Sequence, residues 1–252
     1  MATISEIRRE LSEIRPEDGQ LFIEKYEADT RSGVIKLVES CRNQMKRAEK
    51  EAERLENMLF YEKKYYESCE YICGIDEAGR GPLAGPVVAG AVILPKGLKI
   101  PYLNDSKQLS EKRREELYDI IMDRALAVGT GIVSPERIDE INILQATYEA
   151  MRQAAGHLKF RPDVLLNDAV IIPGLDIPQV KIIKGDAKSL SIAAASVIAK
   201  VTRDRMMKAY HEIFPEYGFD KHKGYGSKEH IEKIQKLGPC PIHRRSFITH
   251  FI

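Results

Sequence analysis

The chain has 252 residues, enough to bury a sizeable core in one domain or one and a half. Its 39 lysines and arginines meet 38 aspartates and glutamates, so net charge draws it to no polyanion, and a nucleic-acid role must rest on local clusters. The start, MATISEIRRE, has no apolar signal core and no run approaches the ~20 apolar residues of a membrane span, so a cytoplasmic protein without a membrane partner is expected.

Residues 1–70 read as helical. Thr3 and Glu6 make a capping box, and Ile4, Ile7, Leu11 and Ile14 form one face at spacings of three and four. After a break at RPEDG, apolar positions recur at Val34, Leu37, Cys41, Met45, Ala48, Ala52, Leu55 and Leu59, with Glu, Lys and Arg between them. This is a helical extension that packs on its own domain or a partner, and it carries no catalytic motif. The four cysteines (Cys41, Cys69, Cys73, Cys240) form no CxxC pair and read as reduced thiols.

From Tyr71 the texture changes. Strands are expected at 71–76 and 87–94, on either side of a glycine-rich loop, and ALAVGTGIV reads as a third. A helix begins after Ser110 and runs through EKRREELYDIIMDR. Ser134 as N-cap and Pro135 at the first helical position open another helix over 134–158, in one or two pieces. DVLLND and VKIIKG are short strands, and SLSIAAASVIAKVTRDRMMKAYHEIF is a long buried helix with small residues on its packing face. Three strands followed by helix–strand pairs predict an α/β fold. It is a mixed β-sheet flanked by helices over 71–252, with a helical C-terminal part.

The stretch GIDEAGRGPLAGP, Gly74 to Pro86, invites a nucleotide-binding reading that fails. Gly79, Gly81 and Gly85 have the wrong spacing, Pro82 and Pro86 interrupt them, a strand rather than a helix follows, and no GK[ST] is present. The acids carry more. Asp76 and Glu77 close the first strand, Asp168 closes VLLND, and Asp186 follows VKIIKG just before the long helix. Singly each reads as a turn residue or cap. Jointly they are four carboxylates at the ends of elements of one sheet, and such groups repel and raise each other's pKa. Hard divalent cations, which favour oxygen ligands, resolve that repulsion.

Five motifs in order, GIDEAGRGPLAGPVVAGAVIL, DSKQLS, SIAAASVIAKVTRDR, HKGYGSKEH and PIHRRSF, resemble bacterial ribonuclease HII from Tyr71 to Phe247. The resemblance implies a ribonuclease H-like fold and a metal-dependent endonuclease. It implies two divalent ions, Mn²⁺ or Mg²⁺, held by Asp76, Glu77, Asp168 and Asp186. The substrate would be an RNA/DNA hybrid or a DNA duplex containing ribonucleotides, cut 5′ to the ribonucleotide to leave 3′-hydroxyl and 5′-phosphate ends. Gly79, Arg80 and Gly81 fall on the family's ribose-sensing loop and Tyr225 on its tyrosine. Asp186 and the helical first 70 residues set the chain apart from ribonuclease HIII, which carries Glu as fourth acid and a β-containing N-terminal domain. One departure is Ala169, where the family usually has glycine, so the turn after Asp168 is expected to differ. A ribonuclease HIII-like hybrid nuclease and a nucleic-acid-binding module without catalysis are the alternatives, and metal-dependent cleavage separates the last from the others.

The residues themselves suit such a task. The 2′-hydroxyl distinguishes RNA from DNA, and glycines let backbone groups approach a sugar without Cβ interference. A side chain at Gly81 is expected to intrude on that sugar and to demand an unsuitable φ. Arg80 suits a phosphate, which its planar fork can bond twice. Tyr225 lies in KHKGYGSK, a stacking ring within a basic patch, with Lys221, Lys223 and Lys228 as candidate duplex contacts. Ser106 and Lys107 are candidate phosphate contacts. Lys200 and Arg203, on the long helix, face either the core edge or the duplex. His243 reads as a structural or backbone contact rather than a metal ligand, and a monomer is expected.

Overall fold

Thr3 opens the first helix as its spacing predicts: its hydroxyl accepts the Glu6 N–H, and the Glu6 carboxylate accepts the Thr3 N–H at 2.8 Å. The computed structural model describes residues 2–250 and divides at Asn57/Met58 into two compact units. In the first, α1 (Ile4–Glu13), α2 (Gly19–Tyr26) and α3 (Ser32–Met58) bury Ile7, Leu11, Phe22, Ile23, Val34, Val38 and Cys41 against one another. The Tyr26 hydroxyl donates to Glu10 at 2.6 Å, tying α2 to α1. The predicted stripe on α3 is only partly a core: Val34 and Cys41 are buried, Met45 and Ala48 are half-buried, and Ala52 is exposed.

The second unit begins with the short α4 (Phe60–Lys63) and holds a five-stranded sheet. Its strands are β1 (Ile72–Ala78), β2 (Val87–Ile93), β3 (Ala127–Val133), β4 (Val164–Asp168) and β5 (Gln179–Ile182), in the order β3-β2-β1-β4-β5. β1 runs antiparallel to β2 and parallel to β4, so the sheet is mixed. The strands are linked by α5 (Glu111–Arg124) and α6 (Pro135–Gly156). After β5 come α7 (Leu190–Ile213), α8 (Phe219–His222), α9 (Lys228–Leu237) and α10 (Arg245–Ile248).

Both faces of the sheet are covered, which is why its strands read as nearly continuous apolar runs. Cys73, Ile75, Ala89, Ala91 and Ile93 turn to one face, where Ala146, Ala150 and Ala154 of α6 meet them. The other face lies against α7, with Gly74 and Gly90 backed by its Ser191 and Ala195 backbone. The run Ala193–Ala195 lets the helix approach that closely, and all three residues are fully buried. α6 does break into two pieces, at Asn142 (φ 66°, ψ 163°). The Asn142 Oδ1 recaps the second piece by accepting the Leu144 and Gln145 N–H groups at 3.0 and 3.1 Å.

Two local expectations are corrected. Glu77 still pairs with Ala89 and Ala78 with Val88, so β1 continues past the acids and holds them inside its ladder rather than at its end. The turn after Asp168 does not avoid glycine's geometry: Ala169 adopts φ 54°, a left-handed conformation that disfavours a residue with a Cβ by roughly 1–2 kcal/mol.

A Cβ at Gly74 would stand 2.1 Å from the Ser191 carbonyl carbon and 2.3 Å from the Ile192 nitrogen, both α7 backbone. Gly74→Ala must therefore push α7 off the sheet, and we expect a loss of about 2–3 kcal/mol, the scale of overpacking. At Gly156 a Cβ meets nothing within 4 Å, so Gly156→Ala should leave urea midpoints unchanged or slightly raised. Equal midpoints for the two variants would refute this packing account.

Candidate active site

The sheet sets the acids side by side. Parallel pairing puts Ile75 opposite Asn167, so Asp76 and Asp168 follow one another on neighbouring strands. The Asp168 Oδ1 accepts the Gly185 N–H at 2.7 Å, which anchors the tight 3₁₀ turn Gly185–Ala187 carrying Asp186. Asp76 is almost fully buried, and its Oδ2 has no hydrogen-bond partner. Burial, then the Glu77 and Asp168 charges, holds the Asp76 carboxyl well above the usual carboxylate range, despite a bond to Ser196. Glu77 is also raised, by burial and by Asp168, against the opposing pull of Arg80 and Lys107. Asp186 is raised by burial and by Asp105 and Asp168.

Among the described residues, no three acidic, histidine or cysteine side chains are gathered closely enough to hold a metal ion as they stand. Each acid is held by a different neighbour: Asp76 by Ser196, Glu77 by Arg80 at 3.4 Å, Asp186 by Lys107 at 3.8 Å, Asp168 by a backbone amide. The donor set nevertheless suits a hard divalent cation. It consists of carboxylate oxygens, one of them buried and unpartnered, and a cation already answers to all of them. Burial alone would lower the Lys107 ammonium, yet Asp76, Asp105, Asp186 and Asp168 together raise it.

Beside the acids runs the glycine loop, shaped from beneath by two buried arginines. Arg244 donates to the carbonyls of Gly85 at 2.9 Å, Arg80 at 2.9 Å and Gly79 at 2.6 Å. Arg203 donates to Pro86 at 2.9 Å, Ala84 at 3.0 Å and Lys223 at 2.9 Å. Burial lowers Arg203 to about 10, and burial with the nearby Arg203 charge lowers Arg244 to about 9, so both stay cationic at neutral pH. Leu83 N–H donates to the Gly224 carbonyl at 2.8 Å, which joins this loop to the one bearing Tyr225. The left-handed glycines of the loop are Gly79 (φ 95°), against Arg203, and Gly85 (φ 85°), against Met207, and not Gly81. A Cβ on Gly81 would meet only the Tyr225 ring, at 4.0 Å, so the expected φ penalty at Gly81 does not arise.

This arrangement coincides with known proteins. The family model for ribonuclease HII matches residues 73–250, and that for the ribonuclease HII N-terminal domain matches residues 3–66. The chain is 58% identical over 248 residues to the ribonuclease HII of Lachnoclostridium phytofermentans, covering 98% of this chain and 97% of that one. It is 50% identical over 251 residues to that of Clostridioides difficile, covering 99% and 98%. The chain belongs to the ribonuclease HII family. The solved structure of ribonuclease H2 from Pyrococcus horikoshii OT3 matches with a TM-score of 0.58 at 30% identity, covering 70% of this chain and 93% of that one. The fold is thus ribonuclease H-like, and the protein is an enzyme of the ribonuclease H type, an endonuclease.

The remaining predicted residues divide by exposure. Tyr225, Lys107, Lys221 and Lys228 are exposed, and the Tyr225 ring lies 6.0 Å from the Lys200 ammonium. Lys200 is half-buried and bonds Asp204 at 2.7 Å. Three expectations are corrected. Arg203 faces the core and spends its donors on carbonyls, so it is no duplex contact. Lys223 is buried, with its ammonium turned onto the Asp220 carbonyl. Ser106 is buried as well, bonding Ser196 at 2.8 Å, and backs the acids instead of reaching for phosphate. Arg244 went unassigned in the sequence. Arg244 sits in the quoted motif PIHRRSF, but nothing in the letters marks one of two adjacent arginines as buried.

A carboxyl whose folded-state pKa is raised stabilises the fold only below its unfolded value, and that stability is lost as pH rises. With a chelator present, the wild type should therefore lose melting temperature as pH climbs from about 4 through the raised Asp76 range, given an ordinary Asp near 3.9. Asp76→Asn should melt a few degrees higher than wild type at pH 8, since about 1 kcal/mol moves a domain of this size by roughly 2–4 °C. A lower melting temperature for Asp76→Asn in chelator would contradict the strained-carboxylate account.

Proposed function

We propose that the acidic cluster hydrolyses the strand 5′ to a ribonucleotide, in an RNA/DNA hybrid or in a DNA duplex carrying single ribonucleotides. The observation that carries this reading is the junction of two features. Buried, mutually repelling carboxylates adjoin a glycine loop whose carbonyls are engaged by buried arginines. Asp76, Glu77, Asp168 and Asp186 would hold two divalent ions, Mg²⁺ or Mn²⁺, which when bound supply an activated water and stabilise the leaving oxygen. Asp76 would offer that set a free oxygen, since it alone among the four has a buried unpartnered one. The 3′-hydroxyl and 5′-phosphate ends follow from the family resemblance.

The chain's own residues do the rest. With the carbonyls of Gly79, Arg80, Ala84, Gly85 and Pro86 taken inward, the Arg80 side chain and the outer edge of the loop remain to meet the substrate. Gly81 leaves a gap opposite the Tyr225 ring, and that gap is where the reading seats the ribose. Arg80 would exchange Glu77 for a phosphate, since their 3.4 Å contact is half open to water. Lys107, Lys221 and Lys228 would line the strand's path as point charges. The division into a helical extension over 1–70 and a catalytic domain over 71–252 belongs to the same reading. It is supported by β1 starting at Ile72 and by the N-terminal family match stopping at 66, while the compact units part earlier, at Asn57/Met58, with α4 in the second. Among the described residues no helix is long and apolar enough to cross a membrane. The cysteines are free thiols, which supports a cytoplasmic protein, and we take it to act as a monomer.

Cleavage of a DNA duplex carrying one ribonucleotide, with Mg²⁺, Mn²⁺ or chelator, tests the assignment directly. Asp76→Asn and Asp168→Asn should each lower the rate roughly a thousandfold, the scale of losing several kcal/mol of metal-held charge stabilisation. Near wild-type turnover in either variant would remove the two-metal assignment. In the glycine loop, Gly81→Val should abolish cleavage at ribonucleotides without lowering the melting temperature, because only the space beside Tyr225 is filled. Tyr225→Ala should slow cleavage at a single ribonucleotide at least tenfold, from about 1–3 kcal/mol of lost stacking. An active Gly81→Val enzyme would mean that the sugar sits elsewhere.

A further inference from the structure

Beneath the Tyr225 loop, away from the acids, His222, His230, His243 and Cys240 are packed together. His230 and His243 are fully buried, and Cys240 nearly so. Two backbone groups that cannot change role, together with the contact between the rings, fix the direction of every bond along this chain. The Tyr225 carbonyl can only accept, so His230 Nδ1, 2.9 Å away, carries a proton and donates. At the far end His243 Nδ1 lies 3.0 Å from the Cys240 N–H, which can only donate, and farther, 3.3 Å, from the Cys240 carbonyl. The shorter contact, and the need to avoid two lone pairs facing each other between the rings, make Nδ1 the acceptor. Each neutral ring then has its other nitrogen determined. His243 Nε2–H donates to His230 Nε2 across 3.0 Å. The Cys240 Sγ, 3.1 Å from His243 Nδ1, can add its proton in the same direction.

What this chain grips is the backbone of the reading residue. The Tyr225 carbonyl also accepts the Ser227 N–H at 2.8 Å, and the Tyr225 N–H donates to the His222 carbonyl at 2.9 Å. His222 Nδ1 accepts the Gly224 N–H at 3.2 Å while its Nε2 donates to the Tyr217 carbonyl at 2.8 Å, and its ring stacks on His230 with centroids 4.3 Å apart. Phe219 closes the other side, edge-on to His230. The Tyr225 backbone is held at both ends, while its ring projects into solvent opposite Gly81.

We propose that the Cys240–His243–His230 chain is a positioning device for ribose selection, which fixes the Tyr225 ring opposite Gly81 by holding the Tyr225 carbonyl. None of the three touches substrate. Their effect passes through one carbonyl, from a segment 15 residues further along the chain. This rests on the reading that Tyr225 seats the ribose, and the test below separates the two.

The experiment is a double-mutant cycle on the full chain, using a DNA duplex with one ribonucleotide in Mg²⁺. Two substitutions of similar size distinguish positioning from packing. His230→Asn puts its amide at the Nδ1 end and can still donate to the Tyr225 carbonyl, whereas His230→Gln puts it at the Nε2 end and cannot. His230→Gln should lower kcat/KM about tenfold, a loss of about 1.4 kcal/mol, and His230→Asn should recover most of it. In a Tyr225→Ala background, His230→Gln should have no further effect, because no ring is left to position. Thermal melts establish that each variant is folded. Additive losses, or folded Asn and Gln variants of equal activity, would overturn the relay while leaving the ribose seat standing. A Tyr225→Ala enzyme of wild-type activity would overturn the seat and the relay together.

Discussion

Two guanidinium groups with no carboxylate within bonding reach among the described residues hold up the working face of this protein. A buried cation is expensive unless its donors are satisfied. Arg203 and Arg244 are satisfied by carbonyls from one eight-residue loop and its neighbour at Lys223. The dependence runs both ways. Without the arginines, that many inward carbonyls would be left unbonded, at about 1–3 kcal/mol each. Without the loop's particular turn, the arginines would have nothing to donate to. The left-handed Gly79 is where the two requirements meet, since any side chain there would strike Arg203.

The sheet contributes the complementary half. Parallel pairing of β1 with β4 aligns two acids, and the bond from Gly185 to Asp168 draws in a third. α7 packs on the same face as Asp76, close against Gly74 and Gly90, and its Ser196 bonds the Asp76 carboxyl, so β1 and the first turns of that helix are tied together. Asp186 lies just before those turns, which links the packing of Gly74 to the chemistry of a residue more than a hundred positions away. Rigid support of this kind is what lets carboxylates stay close in spite of repulsion.

Much of this was legible in the letters, for reasons that can be named. VVAGAVIL reads as a strand because both its faces are covered, and Ser110 and Ser134 cap their helices as Ser residues should. The acids were legible because carboxylates after apolar runs are few and their order matches a family. Arg203 was not, because an arginine in VTRDR looks like any solvated helix charge. Lys223 and Ser106 failed in the same way: a polar letter does not state which way its side chain turns. The histidine chain was invisible for another reason. Its members are scattered from 222 to 243, and only folding α9 back over the Tyr225 loop brings them into one line.

The arginines' choice of partners also decides how the site responds to salt. Carbonyl oxygens are neutral, so the bonds beneath the glycine loop are not ion pairs, and they are shielded from bulk ions besides. The restraints on the acids are of the opposite kind. Glu77 with Arg80, and Asp186 with Lys107, are charge pairs whose basic partners are open to water, and pairs of that kind weaken as the Debye length shrinks from about 10 Å at 0.1 M toward 3 Å at 1 M. Rising ionic strength therefore frees the carboxylates while the loop beside them keeps its shape. The fold separates a part tuned by its ionic surroundings from a part that ignores them.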